Sequence, residues 1–153
     1  MNSKLIKVYA SRQELEFFEN GQLVWSAFIS TSANGLGEEP GSYKTPRGKH
    51  HIVEKIGDGE PLGMVFKGRK PTGRIWKLGE ITQEDLITTR ILTLAGDEED
   101  NQTTQSRHVY FHGTNHEDLI GQAKSRGCIR LKNDDVLKLF DLAEPGTPVE
   151  ILE

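Results

Sequence analysis

The segment from His112 to Arg130 concentrates reactive side chains. It holds two histidines, two arginines, three glycines and Cys128, the one cysteine in 153 residues. A thiol attacks a carbonyl as the thiolate, so it needs a base or nearby positive charge. His112 closes the run His108-Val109-Tyr110-Phe111-His112, where the edge of a sheet can hold its ring. Cys128 follows Gly127, which allows close backbone approach and leaves main-chain N–H groups able to face an oxyanion. Arg126 and Arg130 flank the thiol. Both are permanent cations that favour the thiolate and can grip a carboxylate with two hydrogen bonds. These residues suit acyl transfer by a cysteine nucleophile with a histidine base.

Two other readings use the same residues. His108, His112 and His116 recur every four positions, as ligands on one helix face do. The alternation of Val109, Tyr110 and Phe111 argues for a strand instead, and strand positions four apart lie about 13 Å from each other, too far to share an ion. No metal is therefore expected. In the other reading Cys128 is a small buried hydrophobe and His112 a hydrogen-bonded strand-end histidine. Arg126 and Arg130 are then surface ion-pair partners, and Gly113 and Gly127 serve turn geometry alone. Residue types and spacing leave these readings open.

The elements that must position such a site are mostly strands. Leu5–Tyr9, Glu14–Phe18 and Leu23–Ser30 are rich in β-formers, with Asn20-Gly21 between the second and third as a hairpin turn. Glycine and proline dominate residues 31–48, and 57–79 is glycine- and lysine-rich, so both read as long surface excursions. His50–Ile56, Thr88–Leu94, His108–His112, Cys128–Leu131 and Pro148–Leu152 read as further strands, and 97–106 as a solvated acidic loop. One helix is expected near the C-terminus, with Asn133 as its N-cap, Asp134 and Asp135 in its first turn and Val136, Leu137, Leu139 and Phe140 on its apolar face. The length suits a single domain over residues 1–153.

Composition removes several classes of function. Apolar residues make up 35% beside 16 glycines, an ordinary globular content, so disorder throughout is excluded. Nineteen basic residues against 23 acidic ones give a net charge of −4, and the cations are scattered. Neither nucleic acid nor a membrane surface is an expected partner. One cysteine excludes an intramolecular disulfide and a cysteine-rich zinc module. Lys4 and Lys7 interrupt the apolar start, so Met1–Val8 does not read as an export signal, and no run of 18 apolar residues occurs. The expected compartment is the cytoplasm, or the periplasm or cell wall if a signal was removed.

Taken together, Phe111-His112-Gly113-Thr114 and Ser125-Arg126-Gly127-Cys128-Ile129-Arg130-Leu131 resemble the signature of the L,D-transpeptidase (YkuD-like) catalytic domain. Gly41-Ser42-Tyr43-Lys44-Thr45-Pro46-Arg47-Gly48 is similar to that family's Thr-Pro-x-Gly segment, and Ile120-Gly121, Asn133–Val136 and Gly146–Val149 also match in order. One position departs: Arg126 stands where the family most often has histidine.

The resemblance implies a mainly β fold, a β-sandwich of mixed sheets with one or two short helices near the C-terminus. It also implies acyl transfer on peptidoglycan stem peptides or soluble muropeptides, without a cofactor. Cys128 would attack the carbonyl of the third stem residue, diaminopimelate or lysine, and expel D-alanine. His112 would be the base, oriented by the Gly113 carbonyl. The amides of Gly127, Cys128 and Ile129 would form the oxyanion hole. Arg130 and Arg126 would hold a substrate carboxylate, with Ser125 and Thr114 lining or backing the pocket. Hydrolysis, as an L,D-carboxypeptidase, is expected ahead of 3→3 cross-linking or D-amino-acid exchange. Carbapenems are expected to acylate the thiol. An inactive peptidoglycan-binding module is the rival from another class. The sequence sets no oligomeric state.

Overall fold

The computed structural model describes residues 3–153; Met1 and Asn2, the first two residues of the stretch read for an export signal, lie outside the described residues. Strands β1 (Lys4–Tyr9), β2 (Glu14–Glu19) and β3 (Gln22–Phe28) form the expected meander. Asn20 and Gly21, at φ 53° and 80°, both adopt the left-handed conformation that a two-residue hairpin turn demands. The C-terminal strand returns beside β1 in parallel, and the sheet continues through β4 (Gly48–Ile56) to β7 (Ile87–Gly96).

At β7 the sheet branches. One edge pairs with β4 along its C-terminal half and with β5 (Met64–Lys67) along its start; the other pairs with β8 (Tyr110–Thr114), which carries β9 (Ile129–Leu131) in parallel. A bulge between Thr88 and Ile91 shifts the register against β8 where the opposite edge passes from β4 to β5, and Thr89 takes φ 70°, a costly conformation for a β-branched residue. The fold is mainly β with mixed pairing, as expected, and hydrogen bonding runs unbroken through ten strands, β10 being Pro148–Leu152. Its layers are parts of one branched sheet rather than separate sheets, because β7 serves both branches.

The inward faces close on one core. Ile6, Phe17, Ile52, Leu94, Phe111 and Ile129 are fully buried, each contributing about 1.5–3 kcal/mol of apolar transfer. Helix α1 (Asn133–Leu142) lays Val136, Leu139 and Phe140 onto this core against β7 and β8. Among the described residues no helix is long and apolar enough to cross a membrane.

Three local expectations are corrected. The excursion at 57–79 contains β5 and a sixth strand, β6 (Lys70–Ile75), joined as a hairpin. The loop at 97–106 is not simply solvated. Asn101 and Thr104 are fully buried, and the Asn101 amide group donates to the Arg47 and Lys49 carbonyls at 3.0 Å each. The helix is capped at Lys132, with no side-chain cap, and Asn133 is its first residue.

Asn133 has a different task. Its buried Oδ1 accepts from the hydroxyls of Thr88 and Thr89, and its Nδ2 donates to the Thr114 carbonyl at 2.9 Å and to Glu117 Oε2 at 2.8 Å. One carboxamide thus ties α1, the β7 bulge and the end of β8. Asn133→Ala leaves two hydroxyls and a carbonyl unsatisfied, so a loss of about 3 kcal/mol is expected, or roughly 10 °C in melting temperature, measurable by denaturant and thermal unfolding. A change within 0.5 kcal/mol contradicts the tie.

Candidate active site

The segment carrying Cys128 is held from below by the first glycine-rich loop. Ser30 and Arg130 exchange backbone hydrogen bonds at 2.9 Å each, Ser125 N–H donates to the Thr31 carbonyl, and Ala33 N–H donates to that of Ser125. The fully buried Thr45 hydroxyl donates to the Gly127 carbonyl at 2.9 Å and accepts from the Ser32 amide at 3.0 Å. Thr45-Pro46 is therefore a brace for the cysteine loop. Gly127 sits at φ 127°, a conformation that side chains rarely take.

Parallel pairing of β8 and β9 sets His112 beside Arg130 and Phe111 beside Ile129. Cys128, one residue ahead of β9, lies next to Tyr110, whose amide donates to Sγ at 3.4 Å; the thiol in turn donates to the His108 carbonyl at 3.4 Å. No hydrogen bond joins Cys128 to His112 among the described residues. Both line a single cavity of about 150 Å³, together with Ser125, Arg126, Arg130 and Asp85.

His112 is buried, and its Nδ1 lies 2.6 Å from the Gly113 carbonyl. A carbonyl can only accept, so Nδ1 carries the proton and Nε2 is left as the basic nitrogen. Burial above all, with the neighbouring Arg130 charge, lowers the imidazole's pKa to about 4 against the opposing pull of the Gly113 carbonyl and Asp85. Cys128 keeps some solvent contact but is densely surrounded, and desolvation pushes its thiol up to about 11. The Tyr110 amide, Arg130 and Arg107 act in the opposite sense. At neutral pH both groups rest uncharged.

The other sequence candidates divide. Ser125 is buried at the cavity wall, its hydroxyl donating to the Cys128 carbonyl at 2.6 Å and accepting from the Gly127 amide at 3.2 Å. The Gly127 N–H is thus engaged by Ser125 in this arrangement. Arg126 lines the cavity and is exposed. Arg130 is buried and ion-paired, its Nη2 lying 2.7 Å from Asp85 Oδ2. Gly113 and Ile129 are buried in their strands. Of the two places expected for Thr114, backing the pocket or lining it, the structure gives the first: it is fully buried behind the site, out of reach of substrate, its hydroxyl accepting from the His116 amide at 3.0 Å. His108 and His116 lie on either side of β8 and do not line this cavity.

Sequence reasoning missed three contributors. Asp85 is an ordinary acid in a polar stretch, and its partner Arg130 is 45 residues away. Arg107, whose guanidinium donates to the Gly37 and Lys44 carbonyls, adds a third cation near the thiol. Asn133 offered only the signal of a helix start.

A mixed β scaffold that gathers a thiol, a neutral imidazole with Nε2 available and a buried guanidinium around one cavity has the parts for thiol-dependent acyl transfer. The chain belongs to the L,D-transpeptidase catalytic domain family, whose model, YkuD, matches residues 3–151. Among curated proteins it is similar to a putative L,D-transpeptidase YkuD of Bacillus licheniformis, 51% identical over 45 residues; the match covers 29% of this chain and 27% of that protein. Among solved structures it resembles an L,D-transpeptidase of Mycobacterium smegmatis, with a TM-score of 0.65 and 16% identity, covering 99% of this chain and 59% of the other. The L,D-transpeptidase LdtMt1 in complex with imipenem gives a TM-score of 0.64 at 19% identity, with the same two coverages. At these identities the structural likeness concerns the fold.

Proposed function

We propose that this chain is a cysteine acyltransferase that cleaves the bond between the third residue and D-alanine of a peptidoglycan tetrapeptide stem, with water as the acceptor. The observation that carries this reading is the cavity shared by Cys128, His112 and Arg130 in a member of the L,D-transpeptidase catalytic domain family. His112 Nε2 takes the thiol proton as Sγ bonds to the carbonyl carbon. The carbon–nitrogen bond to D-alanine then breaks, and the imidazolium returns its proton to the leaving amine. Water attacks the thioester and releases the tripeptide and the free thiol. The amides of Cys128 and Ile129 are proposed to hold the oxyanion, joined by that of Gly127 once Ser125 releases it. Arg130 and Arg126 are proposed to hold substrate carboxylates.

Water is proposed as the acceptor that meets the thioester in the cavity lined by Cys128, His112 and Arg130. Under this reading the substrate is a soluble muropeptide met in the cytoplasm, which fractionation of the native protein checks. A second reading, cross-linking, is favoured by a neighbouring cavity of about 470 Å³ that shares Asp85 and Ile87 with the first and could seat an acceptor stem. Incubation with free disaccharide tetrapeptide separates the two. Tripeptide and free D-alanine are expected; dimers or exchange products without tripeptide overturn hydrolysis. Binding with no product at all supports the inactive-module reading and overturns both.

A further inference from the structure

The charges lining the small cavity are two cations, Arg126 and Arg130, and one anion, Asp85. Arg130 is fixed, buried on β9 with its backbone pinned to Ser30. Asp85 is fixed as well. The Asn115 side chain accepts from the Leu86 amide at 2.9 Å and donates to the Glu84 carbonyl at 2.8 Å, clamping the backbone on both sides of it. The Asp85 side chain is 42% exposed, with Oδ2 on Arg130. Its Oδ1 has no hydrogen-bond partner among the described residues.

The ligand that complements these two cations and one anion carries two carboxylates and one ammonium. A tetrapeptide stem with diaminopimelate in its third position ends in that set: the D-alanine carboxylate, and the carboxylate and ammonium at the far end of the diaminopimelate side chain. With lysine, or with an amidated diaminopimelate, one carboxylate is missing. We infer that Asp85 is a specificity-determining residue that receives the side-chain ammonium beside a carboxylate held by Arg130, and that the site selects stems with free, unamidated diaminopimelate. This rests on the acyl-transfer reading above.

The test compares kcat/KM on four synthetic tetrapeptide stems, with diaminopimelate, amidated diaminopimelate, lysine, or 2-aminopimelate (which keeps the far carboxylate and lacks the ammonium) in the third position. The wild-type protein is expected to prefer the diaminopimelate stem over each other stem by about 10-fold or more, the scale of one charge-assisted hydrogen bond. In Asp85→Asn the preference over 2-aminopimelate falls to about 1, because kcat/KM drops at least about 10-fold more on the diaminopimelate stem than on the 2-aminopimelate stem. Asp85→Glu restores part of the preference. An Asp85→Asn variant that loses activity equally on all four stems, or a wild-type protein that does not distinguish them, overturns the inference and leaves acyl transfer standing. No turnover of any stem overturns both.

Discussion

Cys128→Ala is expected to abolish tripeptide formation, by at least ~10⁴-fold in kcat, while the protein keeps its fold. Removing a nucleophile eliminates the covalent route itself rather than one contribution to it. The structure also explains why stability should hardly change. The thiol makes two long contacts, to the Tyr110 amide and the His108 carbonyl at 3.4 Å each, and Cys128 is only partly buried. Weak sulfur hydrogen bonds of this kind are worth a fraction of a kcal/mol, so the melting temperature should move by no more than about 2–3 °C. Imipenem gives an independent readout by intact mass: one covalent adduct on the wild-type protein and none on the variant. Tripeptide formation that survives the substitution defeats the thiolate mechanism.

The pair at the centre of that prediction was legible in the sequence; much of what holds the pair was not. Asn20-Gly21 announced its hairpin because only a few residues accept two left-handed conformations in succession. The hairpin of β5 and β6 hid for the opposite reason. β5 is four residues long, and Pro71 and Gly73 inside β6 argue against a strand, yet β6 lies at the edge of the sheet, where a missing N–H costs little. Asn133 looked like a helix cap because asparagine usually is one. Its carboxamide instead turns inward, where Thr88 and Thr89 offer buried hydroxyls from a bulge that no local pattern reveals.

Asp85 illustrates a more general limit. Its importance comes from an ion pair with Arg130 and a clamp by Asn115, both made by tertiary approach of segments far apart in the chain. The family signature named Cys128, His112 and the arginines because they fall within two short motifs. A counter-charge brought in from another loop leaves no such trace. The same holds for Arg107 and for the Ser125 hydroxyl, which occupies the Gly127 amide.

His112→Asn is expected to lower kcat/KM at pH 7 by about 10²–10⁴-fold, the usual contribution of a positioned base. It should also change the pH dependence in a diagnostic way. With the thiol pushed up to about 11, only about one molecule in 10⁴ carries a thiolate at pH 7. Under the proposed mechanism the wild-type site does not rely on that fraction, because His112 removes the proton as the carbonyl is attacked. Burial disfavours the imidazolium, so the ring gives up its proton near pH 4 rather than near its ordinary 6.5 and is ready as a base throughout the neutral range. The acid limb of the wild-type kcat/KM profile is therefore expected near pH 4, with a plateau from about pH 5.5. Without the base, the variant must use spontaneously ionised thiol. Its rate should climb close to tenfold per pH unit from 7 to about 10, without levelling off, as the thiolate fraction grows. Asparagine places its Nδ2 where His112 Nδ1 stands and keeps an N–H donor for the Gly113 carbonyl, so the fold should survive and the comparison remain one of chemistry. A wild-type acid limb near 6.5 contradicts a desolvated neutral base. A variant profile that stays flat with pH shows that some group other than His112 takes the proton.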